Sequence, residues 1–224
     1  MMIVALTVLT PAPGWAASKE QEKLDASIAV LNQVMAIPEK GIPPELLANA
    51  YGIAIVPNVI KVGFILGGRY GTGVLVVRNG DDHWSNPCFV SLAGGSLGWQ
   101  IGAQSTDVIL VFKSRRSIDG IIKGKFTLGA DAAVAAGPVG RRVEGATDVT
   151  LKAEIYSYSR SRGLFAGVSL EGSAIQIDNE ANAAFYSRPQ ITAGEILDGP
   201  PLLAQPGVAR LKQVLAAYAK PPTH

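Results

Sequence analysis

The chain has 224 residues, 48% of them hydrophobic and 17% charged, and its twenty basic and eighteen acidic side chains leave a formal net charge of +2. That composition supplies ample apolar material for a packed core, and it excludes both a disordered polar chain and a protein that holds nucleic acid by bulk charge. The charge is unevenly placed: from Lys61 to Arg162 thirteen basic residues face eight acidic ones, so the centre is basic and the flanks are acidic.

Residues 1–17 carry an apolar run from Ile3 to Leu9, then Pro11, Pro13 and the small residues Gly14 and Ala16. This is the pattern of a secretory signal cleaved after Ala16, although the first basic residue is Lys19 and the usual positive start is missing. An apolar first strand or helix is the other reading. With a signal, the protein is expected to be periplasmic or secreted. The single cysteine, Cys88, lies between Pro87 and Phe89 in an apolar run, which reads as a buried, inert thiol. A lipid anchor would need a cysteine directly after the signal. No stretch reaches the roughly 18 to 20 apolar residues of a membrane-spanning helix.

From Ser18 to Ala36, Leu24, Ile28, Leu31 and Met35 recur at helical spacing. The amphipathic helix so predicted either packs on a sheet or lies on a membrane surface. Its acidic polar face (Glu20, Glu22 and Asp25 against Lys19 and Lys23) favours packing, because helices on anionic lipid carry basic polar faces. Ile42-Pro43-Pro44 opens a second short helix running to Ala50, with Gly52 closing it. Between Ile53 and Gly102 short apolar runs alternate with glycines, which predicts several short strands that bend or pass close to one another. Asn79-Gly80-Asp81-Asp82 is a hairpin turn, and Val108 to Phe112 a buried strand.

Ser117 to Ile122 allows at least a helical turn before Lys123-Gly124-Lys125, and Gly137-Pro138-Val139-Gly140 is a turn that presents Arg141 and Arg142. Next comes alternation on both sides of Arg160-Ser161-Arg162-Gly163: Leu151, Ala153 and Ile155 before it, and Leu164, Ala166, Val168 and Leu170 after it. Period two predicts a long β-hairpin with those residues facing the core, an organising framework with two arginines at its tip. Asp178 caps a short helix through Tyr186, Pro200-Pro201 marks a linker, and Val208, Leu211, Val214 and Leu215 predict a last helix to Ala219. The fold class that follows is α+β, an antiparallel sheet or barrel-like core of glycine-rich strands with helices at both ends.

Two motifs carry less than they promise. Gly94-Gly95-Ser96-Leu97-Gly98 matches G-x-S-x-G, but a nucleophile elbow needs a strand-turn-helix and a later histidine, and the only later one is the terminal His224. GRYGTG, Gly68 to Gly73, lacks the spacing and the following helix of a phosphate loop and reads as a glycine-rich strand pair. Two distant histidines and one cysteine offer no metal-ligand spacing, and no cofactor is called for.

The string GLFAGVSLEGS (Gly163 to Ser173) resembles the SYLF-domain family, as do the blocks from Ala50 to Arg78, Trp84 to Pro87, Gly94 to Phe112, Lys125 to Arg142 and Phe185 to Arg188, in the family's order. The resemblance runs from about Ile42 to Leu197, so we expect a signal in residues 1–17, a SYLF-like domain over 18–198, and a linker with a C-terminal helix over 199–224. It implies a non-catalytic lipid-binding module, found alone in bacterial envelopes and joined to other domains in eukaryotic endocytic and cortical-actin proteins. The expected partner is an anionic phospholipid or phosphoinositide-like head group, with no nucleic acid. A protein-interaction module is the alternative, with actin itself an improbable partner for an exported chain. A small outer-membrane barrel fits less well, because most apolar runs are shorter than the roughly nine to eleven residues a spanning strand needs. The candidate head-group contacts are the paired cations at turns: Arg115 and Arg116, Lys123 and Lys125, Arg141 and Arg142, Arg160 and Arg162. Their other reading is as separate solubilising charges.

Overall fold

The computed structural model describes residues 18–37, 41–79, 83–139, 153–161, 164–200, 202 and 205–219. The expected signal segment, the tip of the Asn79 turn, Arg141, Arg142 and Arg162 lie outside the described residues. Two strands dominate. β1 (Gly52–Val77) and β2 (Cys88–Phe112) pair antiparallel from Gly52↔Phe112 to Leu75↔Cys88. The several short strands expected from the glycines are thus corrected to two long ones. A residue without a side chain lets a strand bend without leaving its ladder, and the irregularities are confined to register shifts at Val56/Val59 and Gly63/Ile65.

β1 curls until its two halves touch. A Cβ on Gly71 would stand 2.8 Å from Val59 Cγ2, and one on Gly73 would stand 2.6 Å from Val56 Cα and overlap the carbonyl oxygen of Ile55. Its ends meet as well, since Arg78 N donates to Tyr51 O at 2.8 Å. The ribbon is therefore an arch. One foot, Ile53–Val56 against Val108–Phe112, and the other, Val74–Val77 with Cys88–Val90, are buried in the core.

β2 is the hub of a seven-stranded sheet. On its side away from β1, Val90–Ala93 pair with β7 (Ala174–Ile177) and Asp107–Phe112 pair with β5 (Ile155–Ser161). β3 (Phe126–Thr127) extends β7, β4 (Val134–Ala136) joins β5 in parallel, and β6 (Leu164–Gly167) returns antiparallel along β5. The β5–β6 hairpin exists, but it is a flank of this sheet and not its framework. Its faces also differ from expectation. Leu164 is 79% exposed, while Phe165 stacks on Tyr158 with ring centroids 5.4 Å apart. Ile155 to Tyr158 are buried on both faces because β5 is an interior strand, covered on each side, where alternation has no work to do.

Helices close the exposed side of the arch feet. α1 (Lys19–Met35) is capped by Ser18, whose hydroxyl accepts from Gln21 N, and it buries Leu24, Ile28, Val30, Leu31 and Val34. It is a packed helix lying on β1. α2 (Pro44–Ala48) and α3 (Arg115–Lys123) are short, the latter longer than the single turn that Ser117–Ile122 requires. α4 (Asn179–Tyr186) starts at Asp178, whose side chain accepts from Ala181 N. It is riveted to β2 by Asn182, which accepts from Phe89 N at 2.8 Å and donates to Phe89 O at 3.2 Å. α5 (Ala193–Leu197) carries a Thr192/Glu195 capping box. α6 (Val208–Tyr218) buries Leu211 and Leu215 in the same core, and Tyr218 donates to Asn32 of α1. No described helix is long and apolar enough to cross a membrane.

Two predictions follow from this packing. Gly73→Ala pushes a methyl into backbone that cannot withdraw, and we expect a loss of about 3 kcal/mol by urea denaturation; a cost within experimental error would refute the close crossing. Burial also holds the Tyr158 and Tyr186 phenols well above their ordinary range and pushes the Cys88 thiol up to about 12. The unfolded chain then releases these protons first, from about 9.0 for the thiol and 10.0 for the phenols. Stability is constant near neutrality and falls as pH rises through that window, by ~1.4 kcal/mol per unit for each proton. Urea midpoints measured at neutral pH and at about pH 10.5 read the effect, and a flat profile contradicts the burial of these groups.

Candidate anion-binding surfaces

Among the eight paired cations, two described ones are bonded to carboxylates. Arg115, at the start of α3, reaches Asp198 at 2.7 Å and Asp119 at 3.2 Å and donates to the Tyr51 hydroxyl at 2.7 Å. Its hydrogen bond to Asp198 raises its already high pKa further. Arg160 on β5 pairs with Asp107 on β2 at 3.2 Å, and the other oxygen of Asp107 accepts from Asn58 N at 3.1 Å. Asn58 has a φ of 51°, the left-handed region in which asparagine is among the few tolerated residues, and it sits at the first register shift of β1. Asp107 therefore fixes the bend at the foot of the arch, and Arg160 balances its charge.

Arg116, Lys123 and Lys125 do come together. The nine residues of α3 place Arg116 and Lys123 at opposite ends of the helix, and Gly124, with a φ of 148°, redirects the chain so that Lys125 returns beside them. They line a depression of about 440 Å³ floored by Gly120 and Phe126. Asp119 and Asp131 share it, but Asp119 already holds Arg115 and Asp131 accepts from Thr127 N at 2.6 Å. The three cations form no ion pair among the described residues. Arg141, Arg142 and Arg162 lie outside the described residues.

A second recess, lined by residues that form no sequence motif, lies under the arch. It is about 290 Å³ in volume, with Lys61, Arg69, Gln104, Thr106, Ser159, Ser161 and Ser169 around it and Val59, Val108, Val168 and Leu170 as its apolar wall. Lys61 pairs across the ribbon with Gln104, and Val59 with Thr106. Arg69 arrives from the returning half of β1. Neither cation forms a pair or stands in a turn, so a search for clustered charge passes over them; the available signal was two cations at odd positions in an otherwise apolar strand.

The remaining motifs resolve simply. Gly94–Gly98 is continuous strand within β2, with no turn and no helix behind it, so it is not a nucleophile elbow. Gly68–Gly73 is strand as well, paired from Gly68↔Gly95 to Gly73↔Val90. Among the described residues no three His, Cys, Asp or Glu side chains gather as a metal site.

The Asp107 geometry predicts that Asp107→Ala costs about 2 kcal/mol, since it frees the Asn58 amide and strands a partly buried guanidinium. Arg160→Ala, which keeps the Asn58 bond, costs less. Equal effects in urea titrations would mean that the ion pair and not the bend is what Asp107 serves.

A family model described as "Ysc84: Las17-binding protein actin regulator" matches residues 93–218. The chain is 40% identical over 163 residues to "SH3 domain-containing YSC84-like protein 1" of Xenopus laevis, covering 72% of this chain and 48% of that protein. It is 39% identical over 208 residues to "LAS seventeen-binding protein 3" of Saccharomyces cerevisiae, covering 90% and 44%, and 41% identical over 163 residues to the YSC84-like protein of Homo sapiens, covering 72% and 47%. The chain thus spans about half, or less, of the length of these curated relatives.

Proposed function

Since the chain belongs to the Ysc84 family, the SYLF family its sequence blocks resemble, we propose that it is a non-catalytic module that binds anionic phospholipid through the basic surface of α3 and β3. One observation carries this reading: Arg116, Lys123 and Lys125 converge on a single depression without carboxylate partners of their own. A cation held near an anionic bilayer contributes about 1 kcal/mol, so three together are worth on the order of a hundredfold in affinity at low salt. Arginine forks and lysine ammonium groups both suit phosphate oxygens. Arg141, Arg142 and Arg162 stay in the proposal as further contacts, while Arg115 and Arg160 leave it because their charge is already answered. A periplasmic or secreted location belongs to the same proposal.

A second reading, a protein-interaction module, is favoured by the names of the relatives, one of which is a LAS seventeen-binding protein and others of which contain an SH3 domain. Those names lend nothing to the expectation that an actin-related partner is improbable.

Vesicle flotation decides between the readings. The wild-type chain should float with phosphatidylserine-containing vesicles at low salt and detach at high salt, and an Arg116→Ala/Lys123→Ala/Lys125→Ala variant should bind about a hundredfold more weakly. Equal flotation with zwitterionic vesicles, or an unaffected triple variant, refutes the lipid reading. Co-sedimentation with actin filaments in the absence of vesicles supports the second.

A further inference from the structure

On either side of its turn, at Ile60–Val62 and at Arg69–Tyr70, β1 has its faces reversed. Along a strand successive side chains take opposite faces, and a sheet built only for stability sends its apolar residues inward and its charges to water. Here Lys61 and Arg69 line the recess, whereas Ile60 and Tyr70, their immediate neighbours, are 53% and 57% exposed. Val62 is exposed as well. The arrangement gives up apolar burial and desolvates Arg69, so folding alone does not account for it.

The chemistry inside the recess is of one kind. Two cations face the hydroxyls of Thr106, Ser159, Ser161 and Ser169, and no carboxylate is among the lining residues. Two acids adjoin lining residues in sequence: Asp107 is held by Asn58 and Arg160, and Glu171, next to Leu170, is exposed and lies against Gly129. Neither Lys61 nor Arg69 has an acidic partner among the described residues. Arg69 Nε is buried with nothing accepting its proton, and burial lowers the pKa of this guanidinium, which has lost water without gaining an anion. An unanswered donor in a cationic, hydroxyl-lined cavity is chemistry that an oxyanion would complete. The volume lies at the small end of the ~300–1,000 Å³ typical of ligand pockets, which suits a compact group and not a stack of bases. The apolar wall of Val59, Val108, Val168 and Leu170 keeps the local dielectric low, where charge-assisted hydrogen bonds are strong.

We propose that the recess under the arch is a binding site for a phosphomonoester, its terminal oxygens held by the Arg69 fork and the Lys61 ammonium and completed by the hydroxyls of Thr106, Ser159 and Ser161. A bare terminal phosphate offers three oxygens to such donors, whereas a phosphodiester offers two and is flanked by bulk. The source of the group is either a lipid head group or a free phosphate ester. The site shares no residue with the α3–β3 surface.

The test uses the full chain in two arms. In the first, inorganic phosphate and glycerol 3-phosphate are titrated while melting temperature and amide chemical shifts are followed. A saturable rise in Tm, with shifts at Lys61, Arg69 and Ser159, is the expected result. In the second, flotation compares phosphatidic acid vesicles, which present a monoester, with phosphatidylserine vesicles, which present a diester. Lys61→Gln/Arg69→Gln should weaken whichever response occurs at least ~10-fold, and Arg210→Ala, which removes an exposed cation on α6 outside both basic surfaces, should leave it intact. Thr106→Val, which keeps shape and both cations, should weaken it too, so a misfolded double variant does not protect the proposal. A response to free esters alone identifies a soluble ligand, and a preference for phosphatidic acid identifies a lipid. No response in either arm up to ~20 mM ester, or wild-type binding by the folded glutamine and valine variants, overturns the site.

Discussion

The close passage of β1 over itself, with Gly71 and Gly73 against Ile55 to Val59, is the contact from which the rest of the architecture follows. Because no side chain intervenes, the two feet of the ribbon share one core, and β2, running the length of β1, is left with two separate segments free to pair outward. β7 takes the first and β5 the second. The helices then cover what the feet leave open, with α1 across β1 and α4 fixed to β2 by the double bond of Asn182 to the Phe89 backbone. The bend is maintained electrostatically where glycine alone would leave it loose, through Asp107 on the Asn58 amide.

Much of this was legible in local sequence. The Leu24–Ile28–Leu31 stripe, the Asp178 cap and the Val208–Leu211–Leu215 spacing each reported a helix whose physics is contained within a few turns. The β5–β6 hairpin and the strand nature of Gly68–Gly73 were also readable. The length of β1 and β2 was not, because glycine is ambiguous: it ends a strand in one context and bends it in another, and only the partner strand decides. Alternation failed at Leu164 for a related reason. Period two reports one buried face, and β5 has two while β6, a four-residue edge, has almost none. The basic depression was half visible: Arg116, Lys123 and Lys125 lay close in sequence, but that Arg115 and Arg160 are answered while these three are not depended on Asp198 and Asp107, far away along the chain. Lys61 and Arg69 were invisible as a pair, since what unites them is the curl.

The two basic surfaces differ physically. Around α3 the cations are open to water, and salt screens whatever they hold. Under the arch the cations are half-buried, ringed by hydroxyls and backed by valine and leucine, a setting in which geometry and not net charge discriminates between anions. A chain with a formal charge of only +2 thereby gathers five of its described cations in two small areas.

The alternation that places Lys61 and Arg69 beneath the arch has a consequence for how this ribbon tolerates change in length. Between those two residues, inserting or deleting an even number of positions, matched on β2, would leave every side chain on its present face and merely enlarge or shrink the span. A single added residue would rotate Arg69 to the outside and bring Tyr70 in, converting a hydrophilic chamber into a greasy one while the hydrogen-bonded ladder remained continuous. Length variation in this segment is therefore constrained by parity more than by size.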